Sequence, residues 1–271
     1  MTRIATRLNR FWRLLMTGMC FALFGAGGLL LSLVWFNLLL LVVRNKNSRR
    51  RIARHSISAS FRFFLRVAKF TGALDYRISG AETLRTDRSC LVVANHPTLI
   101  DYVLIASVMP ETDCLVKSAL LKNPFVSGVI RAADYLINSQ AGALLPESQL
   151  RLDRGDTILI FPEGTRTRPG EKMSLQRGAA NIAVRCGSDL RVVTIRCSEH
   201  LLDKQSKWYR IPPKKPLFDV RVGDRVLIDA FYDAKTQEPA LAARQLNRHL
   251  LKQLQYVETP LSGINDASAL P

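Results

Sequence analysis

From Leu14 to Val43, thirty residues, the chain carries no charge, and an arginine closes the run at each end, Arg13 before it and Arg44 after it. As helix this run would measure about 45 Å, against a hydrocarbon core of about 30 Å. That length leaves two arrangements for residues 1–47, read as a membrane anchor: a single tilted helix, or a re-entrant hairpin turned at Gly25-Ala26-Gly27-Gly28. A signal peptide fits less well, because the run exceeds a usual h-region and the basic block behind it resists export.

Charge sharpens this reading. Residues 1–74 hold thirteen of the 39 Lys and Arg and none of the 22 Asp and Glu, so only +4 of the net +17 falls on the rest of the chain. The block brackets a hydrophobic run and has no nucleic-acid-binding motif, so anionic lipid, not nucleic acid, is the expected partner. Arg3, Arg7, Arg10 and Arg13 precede the run, and Arg44, Lys46, Arg49, Arg50, Arg51 and Arg54 follow it. The positive-inside bias places the carboxyl-terminal domain on the cytoplasmic side of an inner membrane; a hairpin satisfies it on both flanks. Over 48–72, Arg50, Arg51, Arg54, Arg62, Arg66 and Lys69 interleave with Phe61, Phe63, Phe64 and Phe70, which predicts a basic amphipathic helix in the headgroup region. The alternative is an amphipathic helix packed on the domain.

Residues 73–257 read as one α/β domain, with a largely parallel central sheet flanked by helices, and 258–271 as a loose tail. Short apolar runs at 74–78, 91–94, 114–116, 135–137, 156–160 and 190–197 alternate with helical stretches. Phe218 to Ala230 alternates strongly and is predicted to be a hairpin turned at Gly223-Asp224. Residues 238–257 form a closing helix. The five cysteines show no Cys-x-x-Cys pair and no metal-ligand spacing with the four histidines, so they are read as reduced and no metal is expected.

Two of the strands run into polar turns. Leu91-Val92-Val93-Ala94 leads to Asn95-His96-Pro97-Thr98-Leu99-Ile100-Asp101. His96 and Asp101 meet only if the histidine precedes a helix, opened by Pro97, that carries Asp101 on its first turn. The aspartate would then hold one ring nitrogen and leave the other free to take a proton. Equally open from the spacing is a histidine that caps the helix with an aspartate at its positive end. The strand Asp156 to Ile160 leads to Phe161-Pro162-Glu163-Gly164-Thr165-Arg166.

These two turns resemble the His-x4-Asp and Phe-Pro-Glu-Gly-Thr-Arg motifs of the glycerolipid acyltransferases, best known through the 1-acyl-sn-glycerol-3-phosphate acyltransferases. The likeness covers about residues 75 to 200, and the second motif matches without a substitution. It implies a membrane-bound O-acyltransferase of phospholipid biosynthesis, with His96 as general base oriented by Asp101. The acyl donor would be an acyl-carrier-protein or coenzyme A thioester, a co-substrate, and no cofactor is needed. Glu163, Gly164, Thr165 and Arg166 would bind the acceptor's polar head. Gly178, in Arg177-Gly178-Ala179, is similar to a glycine the family carries in that context.

One departure bears on the acceptor. Between the two motifs, relatives carry an arginine that helps hold the acceptor phosphate; here that place falls on Asn138, with Lys117, Arg131 and Arg168 as possible substitutes. Thr194 stands near a place usually held by proline. The acceptor is therefore either a lysophospholipid or a lipid of a specialised pathway, such as an aminolipid or polyene-type lipid. A catalytically silent lipid-binding scaffold is the reading from another class.

Overall fold

The structure is a computed structural model that describes residues 3–138 and 141–255; the expected tail, 258–271, lies outside them. In chain order the elements are α1 (Arg3–Leu30), a π-helical turn (Leu31–Trp35), α2 (Phe36–Val42), α3 (Lys46–Phe70), β1 (Asp75–Ser79), α4 (Ala81–Thr86), β2 (Leu91–Ala94) and α5 (Asp101–Val108). There follow β3 (Asp113–Lys117), a 3-10 turn (Ser118–Lys122), α6 (Pro124–Ala133), β4 (Leu136–Asn138), α7 (Ala141–Asp153) and β5 (Ile158–Ile160). The described chain closes with α8 (Gly178–Cys186), β6 (Leu190–Cys197), β7 (Leu217–Val226), a 3-10 turn (Ile228–Ala230) and α9 (Pro239–Gln255).

The strands form one sheet in the order β1-β7-β6-β2-β5-β3-β4. Every pairing is parallel except that of β6 with β7. The central strands β2 and β5 are buried throughout, as strands covered by helices on both faces must be. Their side chains alternate between two cores. Val92, Ala94 and Leu159 pack with Leu65 and Ala68 of α3 and Leu104 of α5. Leu91, Val93, Ile158 and Ile160 pack with Ile182 of α8 and Leu246 and Leu250 of α9.

The predicted hairpin over 218–230 is instead the single strand β7 followed by a 3-10 turn. Between Arg191↔Arg225 and Val193↔Val222, β7 contains one residue more than β6, so Gly223-Asp224 marks a bulge. A Cβ on Gly223 would stand 3.2 Å from the Val192 carbonyl oxygen, which explains the glycine. Pro97 also departs from expectation: it lies in the turn, and α5 begins only at Asp101.

The amino-terminal rod runs through Gly25-Ala26-Gly27-Gly28 without a break, so a hairpin turned at those glycines does not form. Arg7–Val42 is a helix long and apolar enough to cross a membrane. The domain nevertheless lies along it. Trp12 donates to the Thr71 carbonyl at 3.0 Å, the Phe24 ring meets Phe64 at 5.3 Å, and Trp35 donates to the Ser56 hydroxyl at 3.0 Å. Phe36 and Leu39 complete a third core with Ala53, Ile57, Ile130 and Tyr135.

Helix α3, expected to present its basic residues to phosphates, turns several of them to partners within the protein, although only Arg54 is buried. Asn45 caps it, accepting the Asn47 and Ser48 N–H groups at 3.0 Å. Arg54 is buried and donates to Asp113 at 2.7 Å and to the carbonyls of Ala133 and Glu111; Arg151 of α7 also bonds Asp113. Arg50 pairs with Asp156 at 3.1 Å, Arg62 bonds the Ser107 carbonyl, and Lys69 pairs with Asp75 at 2.8 Å. Phe63, Arg66 and Phe70 remain exposed, as do Arg51 and the paired Lys69.

Candidate active site

Asn95 makes the first motif possible. Its side chain donates to the Ile195 carbonyl at 2.8 Å and accepts the Ile195 N–H at 2.6 Å, prolonging the β2–β6 ladder while the main chain turns away. His96 then stands at the carboxyl end of β2, where open α/β sheets gather their sites. Its Nδ1 lies 2.8 Å from the Asp101 carboxylate, and its side chain is 23% exposed. Asp101 is fully buried and also accepts the Thr98 N–H, at 2.7 Å, and the Thr98 hydroxyl. Burial pushes the Asp101 carboxyl up, against the downward pull of His96 and Thr98. With Nδ1–H donated to the carboxylate, Nε2 keeps its lone pair for a proton from solvent or a ligand.

The second motif supports the first. The parallel register pairs Val93 with Ile160, so three residues further on His96 comes level with Glu163. The Glu163 carboxylate accepts the His96 backbone N–H at 2.6 Å and the Thr167 hydroxyl, and the Thr167 N–H donates to the His96 carbonyl at 3.3 Å. Burial also pushes the Glu163 carboxyl up. Phe161, one residue past β5, lays its ring over the imidazole with centroids 4.5 Å apart and planes tilted by 31°. Gly164 has φ +69°, a conformation that glycine adopts without strain.

Thr165 is exposed at the tip of this turn, whereas Arg166 is engaged: its Nη1 donates to the carbonyls of Leu202 and Asp203, both at 3.1 Å. The guanidinium expected to face a ligand thus also ties down the loop after β6. Lys117 and Asn138 are both exposed and are register partners at the ends of β3 and β4. Counting strand spacings of about 4.8 Å from β2, Lys117 is about 10 Å and Asn138 about 14 Å along the same edge from His96. Gly178 opens α8, and a Cβ there would meet nothing within 4 Å, so packing does not demand the glycine.

Sequence reasoning missed Asn95, Thr98, Phe161 and Thr167 as members of this constellation. All four stand inside or next to the two motifs, which is the one signal that could have found them. All five cysteines are free, and among the described residues no group of three or more His, Cys, Asp or Glu is placed to hold a metal ion.

Residues 75–198 match the model of the Acyltransferase family. This segment belongs to the glycerolipid acyltransferases. Over 138 residues, 48% of this chain and 55% of the relative, it is 27% identical to a 1-acyl-sn-glycerol-3-phosphate acyltransferase of Borreliella burgdorferi. Over 145 residues it is 28% identical to the enzyme of that name from Helicobacter pylori, covering 51% and 56% of the two chains. The chain spans about half the length of these curated relatives. The crystal structure of the 1-acyl-sn-glycerophosphate (LPA) acyltransferase PlsC from Thermotoga maritima superposes with a TM-score of 0.66 at 20% identity, over 93% of this chain and 99% of that one, which shows a shared fold.

Proposed function

We propose that this acyltransferase-family chain transfers a fatty acyl group from an acyl-carrier-protein or coenzyme A thioester to the hydroxyl of a lysophosphatidate-type lipid. The observation that carries the reading is the Nδ1–Asp101 bond, which leaves Nε2 of His96 free on a partly exposed ring. In the reaction Nε2 takes the acceptor's hydroxyl proton as its oxygen bonds to the thioester carbonyl carbon. The tetrahedral intermediate then breaks its C–S bond, and the thiolate recovers the proton from the imidazolium. Asp101 stabilises that imidazolium and fixes the tautomer, and Glu163 holds the loop from behind. The thioester is already activated, so the transfer calls for neither a metal nor a redox cofactor.

In this reading the amino-terminal rod lies in the membrane plane rather than across it, because the domain is packed beside it from Trp12 to Leu39. Its exposed face, including Leu30, Leu33, Leu38 and Leu41, enters the inner leaflet, with the catalytic domain on the cytoplasmic side. Purified protein in mixed micelles, given acyl thioester and lysophosphatidate, should release thiol and form the diacyl product. Absence of turnover with every donor would favour a silent scaffold. A second acceptor reading rests on Asn138: a neutral place where relatives keep an arginine suits a lipid without a phosphate monoester.

A further inference from the structure

The connection between β6 and β7, residues 198–216, starts at the active-site edge and then crosses onto the first turns of α1. At the edge, Leu202, with φ +58°, offers its carbonyl to both the Leu99 N–H at 2.9 Å and Arg166. Further on, the buried Arg13 guanidinium donates to the carbonyls of Pro212, Pro213 and Lys214 at 2.7, 2.8 and 2.7 Å, and Arg10 donates to Ile211 at 3.1 Å. Trp208 meets Phe21 with ring centroids 5.9 Å apart and sits so close to Gly18 that a Cβ there would stand 3.5 Å from the indole. The loop is therefore clamped in a fixed pose on the helix.

What it presents is cationic and aromatic. Lys204, Lys207, Arg210, Lys214 and Lys215 are exposed, and no acid occurs between the first and the last of them. Lys215 pairs with Asp75 at 3.3 Å. Trp208 and Tyr209 are 47% and 49% exposed. Between Tyr209 and α1 lies a groove of about 240 Å³, with Arg7 and Arg10 beside Phe11 and Leu14.

We propose that this clamped loop and the first turns of α1 together form a docking surface for anionic phospholipid headgroups, continuous with the edge that carries His96. Tryptophan and tyrosine favour the membrane–water interface, and the cations match a negative leaflet. Docking there would turn the active-site edge towards the bilayer, the source of a lipid acceptor; that purpose rests on the acyltransferase reading, whereas the surface chemistry does not.

The test measures affinity of the full chain for vesicles of phosphatidylcholine alone and of phosphatidylcholine mixed with phosphatidylglycerol, at low salt. The ratio of the two is the readout, because the apolar face of α1 contributes to both. Neutralising Lys207, Arg210 and Lys214 together to Gln should reduce the anionic preference by about a hundredfold. An unchanged ratio in the folded variant would overturn the proposal and make the loop a solvated face. Should that variant fail to fold, a chain with Trp12→Phe and Trp35→Phe leaves Trp208 as reporter: a larger blue shift of its emission with phosphatidylglycerol supports docking, and equal shifts overturn it. Thioester turnover of the wild type in micelles is read separately, so its absence beside an intact anionic preference rejects the enzyme while leaving the surface.

Discussion

The Glu163 carboxylate holds His96 by its main chain, at 2.6 Å from the backbone nitrogen, and does not touch its ring. Orientation of the ring is left to Asp101, and the two carboxylates thereby divide the work of placing one imidazole.

Removal of the ring tests the proton transfer. His96→Ala should lower kcat by about a hundred to ten thousandfold, the usual worth of a general base. Asp101→Asn should fall in the same range, because an amide can present its NH2 to Nδ1 and hold the wrong tautomer. Near wild-type turnover by folded His96→Ala protein would remove the mechanism.

Substitution of Glu163 separates charge from hydrogen bonding. A glutamine can still accept the His96 N–H and can donate to Thr167, so Glu163→Gln should fold. Glu163→Ala leaves the part-buried His96 N–H without its carboxylate and should cost about 1 kcal/mol in denaturant unfolding. A loss as large in the glutamine variant would mean that the negative charge itself is required.

The same pair of variants predicts a pH dependence. Burial raises the Glu163 and Asp101 carboxyls in the folded state, so the folded chain binds these protons more tightly than the unfolded one. Their contribution to stability is fully present below the ordinary carboxylate range and is lost as pH rises through it towards the folded values. Unfolding free energy measured across that window should slope downward less steeply in Glu163→Gln than in the wild type. An identical slope would place the Glu163 carboxyl at its ordinary value.

Asp113 is the shared partner of Arg54 and Arg151, and its side chain is fully buried. Asp113→Ala takes the hydrogen-bonded carboxylate from the Arg54 guanidinium, 3% exposed, leaves it Asp156 at 3.8 Å, and should destabilise the fold by about 3 kcal/mol. Thermal and denaturant unfolding measure it. A change below about 1 kcal/mol would show that Asp156 and the carbonyls around Arg54 suffice.

Acceptor choice is testable at the sheet edge. Lys117 stands beside Asn138 in the register of β3 with β4, so a cation lies next to the position proposed to choose the acceptor. If Lys117 serves the acceptor phosphate, Lys117→Gln should reduce kcat/KM for lysophosphatidate by about ten to a hundredfold, and adding Asn138→Arg should restore it. Equal kcat/KM in all three chains would move phosphate recognition away from this edge and strengthen the reading of a neutral-headed acceptor.

The sequence by itself determined the central strands and both motifs, because strands buried on two faces must be apolar throughout and their ends are marked where polar residues begin. Leu190 to Cys197 is a strand with the bounds its apolar run suggests. It also showed that His96 and Asp101, five apart, could meet only with the histidine before a helix and the aspartate on its first turn; that they do meet, where the spacing left a capping histidine equally open, came from the folded structure. Composition did not determine what the basic residues face. Arg54 on α3 has the same local pattern whether it meets a lipid phosphate or Asp113, 59 positions away, and only packing chose the latter. Gly223-Asp224 suits a turn and a bulge equally, and the choice came from β1 and β6 taking the two edges of one continuous β7. The meeting of His96 with Glu163 was likewise decided by tertiary structure: the parallel register of β2 with β5, set by side chains in two separate cores, brings both motifs level at the same edge of the sheet.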